Sequence, residues 1–314
     1  MSLQIDKRIG GYTRYYFGEP KLMPIPDEVR KCVAFLAYKD AQGMIRLAGT
    51  VFFVGVGVPG DTLGNSFGYA VTAKHVIGGI KEKSVDGKVY FRLNLKDVGA
   101  EFAESKIDDW HFHPTDNSVD VAAMNFGASS MLDHLVFPAA GIATADVINA
   151  QKIGIGDEVF IVGLFVHHYG QQKNIPIIRI GNIAAMPEEK IQTASEEMEA
   201  FLIESRSIGG LSGSPVFVNT AGARTIGNTL SLGGGGIFLL GLVHGHWDVP
   251  PSQLDTVIVD NRRESVNIGI AIVVPAQKIL ELLNQPVFER SRNEAVSARK
   301  AQNAPRQDAG QGTS

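Results

Sequence analysis

Short apolar or alternating runs recur along the whole chain: "CVAFLAY", "AGTVFFVGVGV", "GYAVTA", "KVYFRLNL", "VDVAAMNF", "DEVFIVGLFV", "IPIIRIGNIAAM", "EAFLIES", "SPVFVN", "GIFLLGLVHGHW" and "VNIGIAIVV". Gly, Pro, Asn or Asp bounds most of them. Many short strands with turn residues between them point to an all-β fold, a barrel or a sandwich. The best helix signal comes late, in "PAQKILELLN" at 275–284. Pro275 suits a first turn, and Ile279, Leu280, Leu282 and Leu283 give one apolar face.

The rest of the chain narrows the classes of function. With 44% hydrophobic and 20% charged residues the composition is that of a soluble globular protein. A net charge of −4 gives no electrostatic reason to expect nucleic acid as a partner. A single cysteine, Cys32, excludes an intrachain disulfide and leans toward the cytoplasm. The opening stretch lacks the apolar core of a signal peptide, and no run approaches the roughly 18 apolar residues of a spanning helix. A cytoplasmic location with no membrane contact is therefore expected. Residues 1–30 read as an extension packed through Tyr12, Tyr15, Tyr16 and Phe17. The four glycines at 233–236 read as a flexible loop, and the polar segment 286–314 as a disordered tail.

A short segment raises the question of catalysis. Residues 208–217, "IGGLSGSPVF", crowd glycines and serines into a turn that feeds a strand. A serine hydroxyl is a poor nucleophile unless a base takes its proton, and that base needs an orienting acid. Of the eight histidines, most lie in polar or connecting stretches; His111 and His113 in "WHFHP" read as a surface strand end. His244 and His246 would share one side of a strand, but no third ligand is spaced with them, and no metal or other cofactor is expected. His75 differs, because it follows an apolar strand in "GYAVTAKHVIGG". Asp120 likewise heads the apolar strand of "SVDVAAMNF".

"TAKHV", "DVA" and "GGLSGSPVF" occur in the order His, Asp, Ser. Together they resemble the trypsin-like serine peptidases of the chymotrypsin fold. The wording is nearest the bacterial glutamyl endopeptidases of the staphylococcal type. "AGTVFFVGV", "GDEVFIVGLF" and "NIGIAIVVPAQKILELL" resemble further strands and the closing helix, so the likeness covers about residues 31–285. It implies two packed six-stranded antiparallel β-barrels and a C-terminal helix. The first barrel would span 31–140 and the second, with the helix, 141–285. It implies His75 as general base, Asp120 as its orienting acid and Ser212 as nucleophile. The backbone N–H groups of Gly210 and Ser212 would form the oxyanion hole. Ser214 fills a position where the family accepts small residues. The implied function is a serine endopeptidase acting on protein or peptide through an acyl-enzyme.

Two departures matter. "KRIGGYTRYY" at 7–16 resembles a zymogen activation site, in which a new amino terminus pairs with an Asp just before the nucleophile; Leu211 stands there instead. A buried ammonium would find no counter-charge, so the oxyanion loop must be ordered otherwise. The stretch at 219–240 is longer than the tight hairpin of the family. For specificity, the resemblance implies a pocket formed by Ser207 and His244, suited to an acidic residue before the cleaved bond. Aligning on Gly241 instead turns Val243 into the pocket and His244 away, because strand side chains alternate. The other class of function is a protease-fold module that binds peptides with little or no turnover.

Overall fold

The computed structural model describes residues 25–61, 65–127, 129–193, 197–205, 210–221, 223–226, 229–232, 235–249 and 266–302. The first lobe contains β1 (Val33–Lys39), β2 (Ile45–Gly57), β3 (Ser66–Thr72), α1 (Lys74–Lys83), β4 (Lys88–Asn94), β5 (Ala100–Lys106), β6 (His111–Phe112), β7 (Ala122–Asn125) and β8 (Phe137–Pro138). Its strands run in the order β5-β4-β1-β2-β3-β7-β6, and β8 pairs parallel to β2. Besides β8, β2 serves two antiparallel partners because it is long. Ile45–Phe52 pairs with β1 and Phe52–Gly57 with β3.

The second lobe begins with α2 (Ala145–Gln151), capped by Thr144, whose hydroxyl accepts from Val147 N–H at 3.3 Å. It continues through β9 (Glu158–Gly163), β10 (Ile177–Ala185), β11 (Ile191–Gln192), β12 (Glu197–Met198), β13 (Phe201–Glu204), β14 (Pro215–Asn219), β15 (Ala223–Ile226), β16 (Thr229–Leu232), β17 (Ile237–Val249) and β18 (Val266–Pro275). Six of these close a barrel in the order β10-β13-β18-β17-β14-β9, while β11–β12 and β15–β16 form separate hairpins. The second of these hairpins is what the lengthened stretch after Asn219 builds.

The architecture is thus all-β with few helices, and one six-stranded barrel is closed. The first lobe differs in detail from a six-stranded barrel, for it is an eight-stranded sheet. Among the described residues no ladder joins β5 to β6. β5 is polar and largely exposed, and β6 has only two residues.

Alternation explains why several strands of the second lobe are apolar on both faces. In β9, Val159 and Ile161 pack with Val216, Val218, Leu240 and Val273 in one cluster. Phe160 and Val162 face the other way and join Phe217, Leu242 and Val274 in the core that is continuous with the first lobe. One face fills the barrel, and the other seals the interface between the lobes.

The C-terminal segment overturns the expectation of disorder from residue 286. After α3 (Gln277–Leu283) the chain forms α4 (Pro286–Gln302). Phe288 is fully buried, with its ring edge-on to Tyr69 at 5.3 Å and to His111 at 5.1 Å. Arg292 donates to the Tyr69 hydroxyl at 2.9 Å and to the Leu283 carbonyl at 2.8 Å. One aromatic anchor and one arginine dock a helix whose composition is otherwise that of a solvated tail. His111 and His113 also belong to this junction rather than to open surface. The His113 ring is 11% exposed and lies 3.5 Å from Glu281 of α3. The aromatic extension before residue 25, Gly233 and Gly234 of the glycine run, and residues 303–314 lie outside the described residues. Among the described residues no helix is long and apolar enough to cross a membrane.

Candidate active site

β3 delivers His75. The strand is buried from Tyr69 to Thr72, and α1 starts at Lys74, so His75 stands in the first turn of a helix at the strand's end. Val76, Ile77 and Ile80 bury one face of that helix, which leaves the His75 ring 43% exposed on the other. Lys74 Nζ donates to the Asn117 carbonyl at 2.6 Å and ties the helix start to the segment that carries Asp120.

Asp120 is held by its neighbours. Val119 and Val121 are buried on either side, and the Asp120 side chain is 5% exposed. Its Oδ1 accepts the backbone N–H of His75 at 2.8 Å, and its Oδ2 lies 2.7 Å from His75 Nδ1. A third group completes the site: His244 Nδ1 lies 2.6 Å from the same Oδ2. Burial, the largest single influence, pushes the Asp120 carboxyl upward. The hydrogen bonds from His244 and His75, with the attraction of both rings, outweigh it and hold the pKa at about 2. Asp120 is therefore an anion at neutral pH and can only accept. Both imidazoles must carry their proton on Nδ1, which leaves each Nε2 free to accept a proton.

Ser212 sits in the turn between β13 and β14. Leu211 before it is fully buried in the interior of the second barrel, which explains why an apolar residue is tolerated there. Gly210 and Gly213 have φ of +98° and +81°, in the region that favours glycine. A Cβ on Gly213 would overlap the Thr72 hydroxyl and the Thr50 carbonyl oxygen. The Ser212 carbonyl accepts Thr50 N–H at 3.0 Å. Neither Gly210 N–H nor Ser212 N–H has a hydrogen-bond partner among the described residues. Ser212 Oγ donates to the His244 carbonyl at 3.3 Å, and no hydrogen bond joins it to the His75 ring. Ser214 is fully buried and its hydroxyl has no partner, so it cannot meet a substrate.

The placement of His244 corrects the pocket assignment made from sequence. Its ring turns to Asp120, not outward to a substrate carboxylate, and stands edge-on to His75 at 5.3 Å. The cause is a β-bulge. In the β17–β18 ladder Val243 pairs with Val273 and Gly245 with Ile272, so His244 is the extra residue. A bulge re-aims a side chain that strict alternation would place elsewhere. The register aligned on Gly241 does not describe the strand either, for Val243, which it turns into the pocket, is fully buried inside the second barrel. Ser207, the partner of His244 in the pocket assignment, lies outside the described residues.

His75, Asp120 and His244 bring metal-ligand atoms within 4.8 Å of one another. The two N···O distances of 2.6 and 2.7 Å are those of hydrogen bonds. Ligands 2.0–2.1 Å from a tetrahedral zinc lie about 3.3 Å apart. As arranged, the cluster is a hydrogen-bonded carboxylate with two imidazole donors.

No protein-family model matches the sequence, and no curated protein sequence matches it. Among solved structures, the fold is similar to the MamO protease domain from Magnetospirillum magneticum in its apo form. The identity is 12%, with 82% of this chain and 99% of that chain covered and a TM-score of 0.46. It is also similar to the drosophila Grass clip serine protease of the Toll pathway. Here the identity is 14%, coverage is 84% of this chain and 70% of that one, and the TM-score is 0.43. The architecture itself is mostly β, with a closed six-stranded barrel in the second lobe. Nothing supports the staphylococcal glutamyl endopeptidase branch in particular.

Proposed function

We propose that this protein is a serine endopeptidase that cleaves protein or peptide substrates through an acyl-enzyme. The observation that carries the reading is the buried Asp120 carboxylate bonded at 2.7 Å to Nδ1 of the half-exposed His75, beside the turn that presents Ser212. With its Nδ1 proton committed to Asp120, the His75 ring offers Nε2 as the base. Ser212 Oγ rotates from the His244 carbonyl to that nitrogen and attacks the substrate carbonyl as His75 takes its proton. The oxyanion receives the N–H groups of Gly210 and Ser212. Collapse expels the amine, which gains the proton from His75. Water then repeats the sequence on the ester and frees Ser212. Asp120 stabilises the imidazolium without becoming protonated.

One observation favours a second reading, a peptide-binding module with the same fold. The Ser212 hydroxyl rests on the His244 carbonyl at 3.3 Å and makes no bond to His75. Hydrolysis of a fluorogenic casein separates the two. Turnover that disappears in both Ser212→Ala and His75→Ala supports the enzyme, since residues acting as a unit lose activity together. Tight peptide binding with no turnover by the folded wild type supports the module.

A further inference from the structure

Leu211 leaves the oxyanion loop without the ion pair that would lock it, so some other group must hold its shape. Thr50 of β2 is fully buried and hydrogen-bonds to that loop. Its hydroxyl donates to the Gly210 carbonyl at 3.0 Å and accepts the Leu164 N–H, at the end of β9, at 2.9 Å. Its backbone N–H donates to the Ser212 carbonyl at 3.0 Å. Its own carbonyl accepts the Thr72 hydroxyl at 2.7 Å, three residues before His75. One residue of the first lobe thus grips both carbonyls that flank Leu211, the adjoining strand of the second lobe and the strand that delivers the base.

We propose that Thr50 is the positioning residue of the oxyanion hole: its hydroxyl fixes the Gly210–Leu211 peptide so that the N–H groups of Gly210 and Ser212 stay turned toward the substrate. This rests on the serine-hydrolase reading of the site. Gly210, at φ +98°, has access to backbone conformations that other residues lack, and nothing in its own geometry selects one of them. The Thr50 hydroxyl selects one by accepting and donating at once, and it does so from a wall formed by another lobe. Leu164 and Val166 close the opposite side, where a Cβ on Gly210 would lie 3.0 Å from both side chains. The hydroxyl is required and the methyl is not, so serine should replace threonine and valine should not.

The test compares Thr50→Val and Thr50→Ser with the wild type in the intact chain. Phosphonylation by a fluorophosphonate is followed to saturation, so that the inactivation step and reversible binding separate. Loss of a whole oxyanion donor lowers turnover about 100- to 1000-fold. Thr50→Val should lower the inactivation step roughly 10- to 100-fold, leave reversible binding within about threefold, and keep the midpoint of the pH dependence. Thr50→Ser should stay within about threefold of wild type. Hydrogen–deuterium exchange of the segment 210–214 gives a readout independent of chemistry: it should quicken in the valine variant and not in the serine variant. Equal inactivation and equal exchange in Thr50→Val and wild type would overturn the proposal, as would a serine variant as impaired as the valine. A wild type that is not labelled at all refutes the enzyme reading instead, and the exchange measurement then decides the role of Thr50 alone.

Discussion

The Asp120 carboxylate predicts a definite acid sensitivity of the fold. Its ordinary pKa is 3.8, and the folded value is about 2. The folded pKa is the lower one, so the group stabilises the protein above pH 3.8, and that stability is lost as pH falls through 2. At 1.36 kcal/mol per pH unit the full contribution is about 2 kcal/mol. Roughly 1 kcal/mol of it should vanish between pH 5 and pH 3, and most of the rest by pH 2. Asp120→Asn removes the titration but keeps the side-chain volume. Urea unfolding of both proteins at a series of pH values from 5 downward isolates the term, since the carboxylates common to both cancel in the difference. Starting at pH 5 keeps clear of most imidazole titration. The advantage of wild type over Asp120→Asn should shrink by about 1 kcal/mol between pH 5 and pH 3. A difference that stays flat over that range would refute the account of a carboxylate held ionised by two rings.

His244→Ala removes one of the two rings that lower the Asp120 pKa, so the acid loss of stability should begin at higher pH than in wild type; unchanged unfolding curves would deny the His244–Asp120 bond a role. Gly213→Ala forces a Cβ onto the Thr72 hydroxyl and the Thr50 carbonyl in a left-handed conformation, and should cost about 3 kcal/mol or more in thermal unfolding. Phe288→Ala empties a fully buried site between α4 and Tyr69 and should cost about 3 kcal/mol, whereas a cost near zero would mean that α4 does not dock.

The fold was largely legible because its strands are short, apolar and separated by turn residues. Runs such as "DEVFIVGLFV" and "VNIGIAIVV" left barrel and sandwich open, and the barrel was implied only by the family resemblance; the runs are apolar on both faces because one face fills the barrel and the other meets the first lobe. His75 and Asp120 stood out locally, each a polar residue beside a buried strand, whereas Ser212 was chosen over Ser214 only by the family resemblance. The tail was misread because docking α4 takes only Phe288 and Arg292, and two residues hardly alter a segment's composition. His244 was assigned to the pocket by the family resemblance, and neither that resemblance nor alternation within one strand registers a bulge, which is a property of the β17–β18 pair. Thr50 gave no signal at all: a threonine inside "AGTVFFVG" reads as an ordinary strand residue, and its partners lie more than a hundred positions away at Leu164 and Gly210.

The most direct test of the central claim is covalent labelling. Folded protein is treated with a fluorophosphonate, and the modified residue is located by mass spectrometry of its peptides. The account predicts one adduct per chain, on Ser212, abolished by Ser212→Ala and nearly abolished by His75→Ala, with Ser214 unmodified throughout. A folded protein that takes no adduct, or takes it on a residue other than Ser212, would contradict it.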